Sequence, residues 1–274
     1  MRAQHAISIR YFTLLGIFVA AIIAFTLHAI EMPNHLQRPE FLTGYVMFGL
    51  MLLVALLNVR KKLSMVPIGR AAYWLAGHAF FGVMLIGLYF VHTQTIWPEG
   101  GYERAFAMMV YLVTASGLAG YALQRISPRR LAAADLEIIY ERIPAELAEV
   151  RRKVQAIVLE STKESGADTL GRHYLESLSW YFRRPRFFVP HLFGLQAGQH
   201  WIRFQVQTIE RYLSAAERAQ LTKIEGLALY KDKIDLHYAL QSVMKYWLLI
   251  HVPLAAALLA LMFWHIIVVN VYAL

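Results

Sequence analysis

Five apolar runs, each close to the length needed to cross a lipid bilayer, constrain the fold of this chain more than any other feature. They cover residues 11–30, 41–59, 71–93, 105–123 and 246–269. A transmembrane helix needs about 20 apolar residues, and it satisfies its own backbone hydrogen bonds in lipid. The composition agrees, with 58% hydrophobic and 16% charged residues. The sequence therefore predicts an all-α membrane protein in which five transmembrane helices form a bundle.

A polar insertion separates the fourth run from the fifth. We expect three regions: residues 1–124 with transmembrane helices 1–4, a helical insertion at 125–245, and 246–274 with the fifth helix. Pro144 predicts a break in the first helical stretch of the insertion. The pattern S-x-x-E at Ser214 and Glu217 is a capping box, which predicts a helix start near Ala215. Apolar spacing predicts that this helix continues into the fifth span.

Two short segments of the insertion have distinctive compositions. The segment "ESGADTLG" is predicted to be a loop. The segment "YFRRPRFFVPHLFG" mixes arginines, aromatic residues and prolines. Two interpretations of it stay open: an irregular surface stretch lying against anionic lipid headgroups, or a docking patch for a partner protein.

The distribution of basic residues predicts the orientation in the membrane. They concentrate before the first run, between the second and third, and after the fourth. By the positive-inside rule, this places the N-terminus and the insertion in the cytoplasm of a multi-pass protein of a bacterial-type inner membrane. The distribution also explains the net charge of +9 without a nucleic-acid partner. The residues concerned are Arg2, Arg10, Arg60, Lys61, Lys62, Arg70, Arg125, Arg129 and Arg130.

The residue types that are absent restrict the possible cofactors. The chain has no cysteine, which excludes disulfides, iron–sulfur clusters, thiolate-ligated haem and covalent c-type haem. No glycine-rich nucleotide motif is present. A redox cofactor would therefore depend on histidine, methionine or oxygen ligands.

Four histidines recur at one spacing in two of the apolar runs. His78 and His92 lie 14 residues apart in the third run, and His251 and His265 lie 14 apart in the fifth. Fourteen residues are close to four helical turns, so both rings of each run leave the same helix face, about 21 Å apart. The two runs cross the membrane in the same direction because one span separates them. Equal depths then pair His78 with His251 and His92 with His265.

Each histidine pair could hold one flat ligand from opposite sides. Ionisable groups are costly in lipid and usually mark a site, and two imidazoles satisfy both axial positions of a haem iron. Zinc and copper fit less well, because the spans hold no carboxylate or thiolate. We therefore expect two non-covalent haems b, with His78, His251, His92 and His265 as the iron ligands. Gly82 and Gly117 are expected to contact the cofactors, although small residues also serve close helix packing.

The paired H-x13-H pattern resembles the di-haem four-helix cytochrome b of quinol–cytochrome c reductases. More distantly, the chain resembles the cytochrome b membrane anchors of nitrate reductase-type enzymes. The resemblance covers the spans that carry the histidines, less than half of the chain. It implies bis-histidine haems b at two depths that carry electrons across the membrane. The chain departs from the first family in its insertion and its five spans, and "WPEG" at 97–100 is no counterpart of that family's P-E-W-Y quinol motif.

The expected function is transmembrane electron transfer, with the chain as the electron-transfer subunit of an oxidoreductase complex. The electrons would pass between a quinone or a cytoplasmic-side redox partner and an acceptor at the outer face. His237, 14 residues before His251, is interpreted as a polar position on a helix, with a proton-accepting role near a quinone or a third haem as alternatives. The competing hypothesis is a non-haem membrane scaffold or sensor that signals through the insertion.

Overall fold

The computed structural model describes residues 39–62, 71–166 and 168–272, together with Gly16, Ala20, Ala24, Leu27 and His28. Every regular element within these residues is helical. The predicted first span at 11–30 falls largely outside them, as do the N-terminus, the loop that contains His35, and Arg70. The chain divides into two compact units, residues 1–121 with 250–274 and residues 122–249, hereafter the first and second units.

The first unit contains four apolar helical segments in its described part. They are α1 (Pro39–Lys62), α2 (Ala71–Thr93), the beginning of α3 (Gly101–Ala133) and the end of the last helix of the chain, α9 (Ala215–Tyr272). Among the described residues, α2, α3 and α9 are long and apolar enough to cross a membrane, and 40–56 forms a shorter apolar helix. The all-helical class and the membrane-spanning character follow; the number of five spans stays a prediction.

One hydrophobic core joins these four segments. Met47 from α1, Leu88 from α2, Val110 from α3 and Leu258 from α9 all lie in it, each at most 8% exposed. Phe48 of α1 packs edge-on against Phe263 of α9, with 5.0 Å between ring centres. In sequence, Leu88 lies between His78 and His92, and Leu258 lies between His251 and His265. The core therefore fixes the rotation of both histidine-bearing helices about their axes.

The described part of the second unit contains the end of α3, a series of further helices and the N-terminal part of α9. The further helices are α4 (Ile143–Ser165), α5 (Thr169–His173), α6 (Ser179–Arg183), α7 (Phe188–Phe193) and α8 (Ala197–Glu210). A 3₁₀ turn at Tyr140–Arg142 leads into α4, and a π turn at Tyr174–Leu178 joins α5 to α6. Val154, Tyr181 and Ile234 are completely buried in the core.

Local sequence patterns correctly predicted where two helices of the insertion begin. Ser214 N donates to Glu217 Oε2 (3.0 Å), and Glu217 N donates to Ser214 Oγ (3.3 Å), so the capping box is formed. The helix that starts there continues without interruption from Ala215 to Tyr272, through Pro253. Pro144 lies in the first turn of α4, where its missing N–H costs nothing. Both the predicted break and the continuous last helix are confirmed.

Two predictions about the insertion need correction. The loop in "ESGADTLG" is shorter than predicted, because α4 extends to Ser165 and α5 begins at Thr169. The segment "YFRRPRFFVPHLFG" is not an irregular surface stretch throughout, since Tyr181 and Phe182 are at most 1% exposed and two short helices occupy most of it. The two rings are buried while the neighbouring Arg183 and Arg184 stay exposed to solvent.

Candidate functional site

The structure brings the four intramembrane histidines together in two pairs. The ring centres of His78 and His251 are 6.4 Å apart, and those of His92 and His265 are 6.5 Å apart. The first histidine of α2 meets the first of α9, and the second meets the second. The two helical segments therefore run parallel, and the rings are paired as their spacing in the sequence predicts. Their role as ligands stays a prediction.

The separation of the rings is compatible with a metal shared between them. A metal–nitrogen bond of about 2.0 Å and about 1.2 Å from ring nitrogen to ring centre place two axial imidazole centres about 6.4 Å apart. Aromatic packing alone allows centre distances of about 4.5–7 Å. Packing does not require two pairs at different depths to adopt one value, whereas a common ligand does. The pairs fit bis-histidine haem.

A main-chain carbonyl orients the ring of His78. His78 Nδ1 lies 3.0 Å from Val54 O in α1. A carbonyl oxygen can only accept, so Nδ1 carries the proton and donates it. The lone pair of this neutral ring is then on Nε2, which is the nitrogen that would bind iron. Metal-bound histidines usually donate their other N–H in this way.

A threonine and a glycine of α1 hold the ring of His92. Thr43 Oγ1 lies 3.0 Å from His92 Nδ1, and the threonine hydroxyl donates to Glu40 O (3.1 Å). Since that bond uses the hydroxyl proton, Thr43 accepts from His92, and the lone pair of His92 is on Nε2. Gly44 lies against the same ring, because a Cβ at this position would be 3.2 Å from His92 Cε1.

His251 is the most buried of the four, at 8% exposure. Its Nδ1 lies 3.2 Å from Ser116 Oγ in α3. The next residue, Gly117, would place a Cβ 3.7 Å from His251 Cε1, which is ordinary van der Waals contact. Gly117 was predicted to contact a cofactor; in the structure it lies next to the candidate ligand itself.

His265 is enclosed by aromatic rings and borders a cavity. Tyr102 stacks on it with 6.2 Å between ring centres and 16° between planes, and Phe106 packs at 5.5 Å. A cavity of about 410 Å³ is lined by both His92 and His265. Apolar side chains, including Met47 and Met262, form much of its wall. An apolar cavity with two converging imidazoles suits a planar hydrophobic metal complex.

Gly82 occupies a different environment from Gly117. A Cβ at Gly82 would meet no atom within 4 Å, so this position borders open space between or outside the helices.

The sequence did not single out Thr43, Val54, Tyr102 or Phe106. All four act on the histidine rings from neighbouring helices, and no spacing pattern within α2 or α9 identifies them. Tyr102 and Phe106 are four residues apart, which is the only local signal for them.

The remaining histidines do not extend the site. Within the described residues no group of three or more histidine, aspartate, glutamate or cysteine side chains has the geometry to hold a metal ion. His237 is buried in the second unit with Gln241 Nε2 at 3.2 Å from its Nδ1, which agrees with a polar helix position. His173 and His191 are buried and His200 is exposed in the same unit.

Comparison with protein-family models, with curated proteins and with solved structures finds no match to this chain. The fold and the site are therefore interpreted from their own geometry.

Proposed function

We propose that this chain is a b-type membrane cytochrome with two haems, one held by His78 and His251 and the other by His92 and His265. Its function is to carry electrons across a bacterial-type inner membrane. The observation that carries the proposal is the common ring separation of 6.4 and 6.5 Å in two pairs on parallel helices. The resemblance to di-haem cytochromes b, drawn from the H-x13-H spacing, supports the same conclusion.

The protein contributes ligation, orientation and exclusion of water. His78 with His251, and His92 with His265, would hold the haems, and a bound haem would supply one-electron oxidation and reduction at its iron. Val54 O and Thr43 Oγ1 accept the Nδ1 protons of His78 and His92, which leaves the Nε2 lone pair of each ring available to bind iron. Burial in apolar surroundings lowers the local dielectric and thereby influences the reduction potential.

The chain is best understood as an electron-transfer subunit that works with other components. The electron donor or acceptor on the cytoplasmic side would be a quinone or a redox partner protein. The insertion, placed in the cytoplasm by the distribution of basic residues, is the largest polar part of the chain and is where we expect a protein partner to bind.

A reduced-minus-oxidised absorbance spectrum of the purified protein tests the proposal. We expect the bands of low-spin haem b, and acid–acetone extraction should recover all of the haem because none is covalently attached. Haem and protein quantitation should give about two haems per chain, one per histidine pair. A spectrum without haem bands, from protein expressed with sufficient haem, would refute the proposal and favour a non-haem scaffold or sensor.

Variants of the four histidines test the pairing. His78→Ala and His251→Ala should deplete the same redox component, and His92→Ala and His265→Ala should deplete the other. Each variant leaves one pair of ligands intact, so the remaining haem reports that the protein is folded. If His78→Ala and His265→Ala depleted the same component, the parallel pairing would be wrong.

A further inference from the structure

The second unit contains a cavity that the electron-transfer proposal does not use. It has a volume of about 470 Å³ and lies between the start of α4, the segment 182–185 and Tyr238 of α9. Its size is that of a small-molecule site, since such sites span roughly 300–1,000 Å³.

Positive charge dominates the wall of this cavity. Arg151, Arg152, Arg183 and Arg184 all line it, and no aspartate or glutamate is among the described residues that do. Arg152 forms an ion pair with Glu149. The other three guanidinium groups have no carboxylate partner within the described part of the chain. All three are solvent-exposed, so water weakens their mutual repulsion, and a bound anion would neutralise the part that remains.

The first turn of α4 adds to this potential. Ile143 and Pro144 both line the cavity and begin the helix. Ile143 N donates to Tyr140 O and Pro144 has no N–H, so this helix end contributes the field of its aligned peptide dipoles and not free N–H groups. Guanidinium groups recognise phosphate through paired hydrogen bonds in a fixed planar geometry, whereas a lysine acts as a point charge.

A buried ion pair on α9 fixes the segment that presents two of these arginines. Lys231 and Asp235 are completely buried, with Nζ and Oδ2 2.5 Å apart. Lys231 Nζ also donates to Arg184 O (3.1 Å), and Arg186 N donates to Asp235 Oδ2 (3.1 Å). Both charged groups therefore hold the backbone on either side of Pro185. Burying an ion pair is costly, and here it positions a rigid turn beside the cavity.

The backbone after this turn is strained, which is a further sign of a fixed conformation. Phe187 has φ of 54°, in the left-handed region that a bulky side chain rarely adopts. Such strain persists where surrounding contacts determine the conformation, and it is frequent at ligand sites. Arg183 and Arg184 are thus presented by a preorganised turn, which reduces the entropy lost on binding.

One side of the cavity is aromatic and apolar. Tyr140 and Tyr238 line it and stack on each other with 5.9 Å between ring centres and 14° between planes. Ile143 and Leu147 complete this side. A ligand that fills the cavity would therefore combine an anionic group with a flat or apolar part.

We propose that this cavity binds a phosphorylated small molecule, with the phosphate on Arg183, Arg184 and Arg151 and the apolar part against Tyr140 and Tyr238. The ligand is either a water-soluble phosphate ester with a ring, such as a nucleotide, or the phosphate-bearing end of an anionic lipid. Both kinds of ligand carry the phosphate group that the arginines would bind. The proposal is independent of haem binding, because all of these residues belong to the second unit.

Isothermal titration calorimetry on the detergent-purified full chain tests this proposal with two probes. ATP represents the soluble source, and short-chain dihexanoyl phosphatidic acid, compared with dihexanoyl phosphatidylcholine, represents the lipid source. We expect the wild type to bind at least one of the two phosphate probes, and the probe that binds identifies the source. Absence of binding to both would overturn the proposal.

A matched pair of double variants separates a site from general charge attraction. R183Q/R184Q should weaken binding at least about tenfold, since it removes two charge-assisted contacts. R203Q/K223Q removes the same charge from exposed positions outside the cavity, and it should change the affinity less than about twofold. Equal loss in both variants, or none in the first, would overturn the proposal. The haem spectrum of each sample reports on the first unit separately.

Discussion

Replacing Gly44 by valine should remove one of the two proposed haems and leave the other in place. Gly44 lies in α1, and a Cβ there would be 3.2 Å from Cε1 of the His92 ring. Non-bonded carbon atoms prefer about 3.5–4.0 Å, so even alanine requires the ring to retreat by about 0.3–0.8 Å. Metal–ligand distances are tolerated within about 0.2 Å, which is less than this displacement.

The size of the new side chain sets the size of the effect. With Gly44→Ala, small movements of the ring and the helix can restore the bond, and we expect two haems per chain with a shifted potential for one. With Gly44→Val, two further carbon atoms on a stiff χ1 approach the ring, and the haem of His92 and His265 should be lost. The other haem, about 21 Å away along the helix axis, should be unaffected.

Haem quantitation and a potentiometric titration of the detergent-purified protein measure these effects. The ratio of haem to protein should fall from about two to about one in Gly44→Val, with loss of one redox component. Gly49→Val is the matched control, since a Cβ at Gly49 would meet no atom within 4 Å. Both substitutions remove a glycine from the interior of the same helix, so neither should weaken α1 through helix propensity.

Two results would refute this reasoning. If Gly44→Val keeps both haems with unchanged potentials, the ring of His92 is not confined by α1. Alternatively, Gly49→Val could lose the same component, in which case the loss reflects packing of α1 and not contact with the ring.

Three further predictions concern His92 and the buried ion pair. Thr43→Val removes the acceptor of the His92 Nδ1 proton, so the affinity for one haem should fall about 10–100-fold and one midpoint potential should shift in a redox titration. Lys231→Met leaves the Asp235 charge buried without its partner and should cost about 3–5 kcal/mol, read as a lower Tm; K231M/D235N should recover part of this loss. Burial raises the pKa of Asp235 to about 6 and lowers the pKa of Lys231 to about 8. In the unfolded chain these pKa values are about 3.9 and 10.4. The folded state therefore binds more protons than the unfolded chain between about pH 4 and 6 and fewer between about pH 8 and 10, so this pair contributes least to stability between pH 6 and 8. Thermal unfolding from pH 4 to 10 should show this minimum in the wild type but not in K231M/D235N.

The sequence predicted those parts of the structure that depend on helix geometry or on local chemistry. The 14-residue spacing predicted which histidine rings meet, because a parallel pair of helices preserves depth. The capping box at Ser214 was recognisable because its partners are three residues apart.

The parts that could not be predicted depend on how separate helices pack. Thr43 and Val54 reach the histidine rings from α1, and their position depends on the rotation and offset of that helix, which no pattern within it encodes. The segment that begins with Tyr181 was interpreted as a surface stretch or a docking patch because it mixes arginines with aromatic residues, yet Tyr181 is completely buried, with Lys231 Nζ 3.8 Å from its ring centre. Burial of this kind is decided by tertiary contacts.

The orienting groups of His78 and His92 differ in how mutation can reach them. His92 depends on a side-chain hydroxyl, so a single codon change at Thr43 can remove its partner. His78 depends on the main-chain oxygen of Val54, which every amino acid possesses. Substitution at position 54 can alter the neighbourhood but cannot delete that acceptor. A point mutation can therefore change the hydrogen bond of the His92 ring directly. The hydrogen bond of the His78 ring keeps its acceptor whichever amino acid stands at position 54.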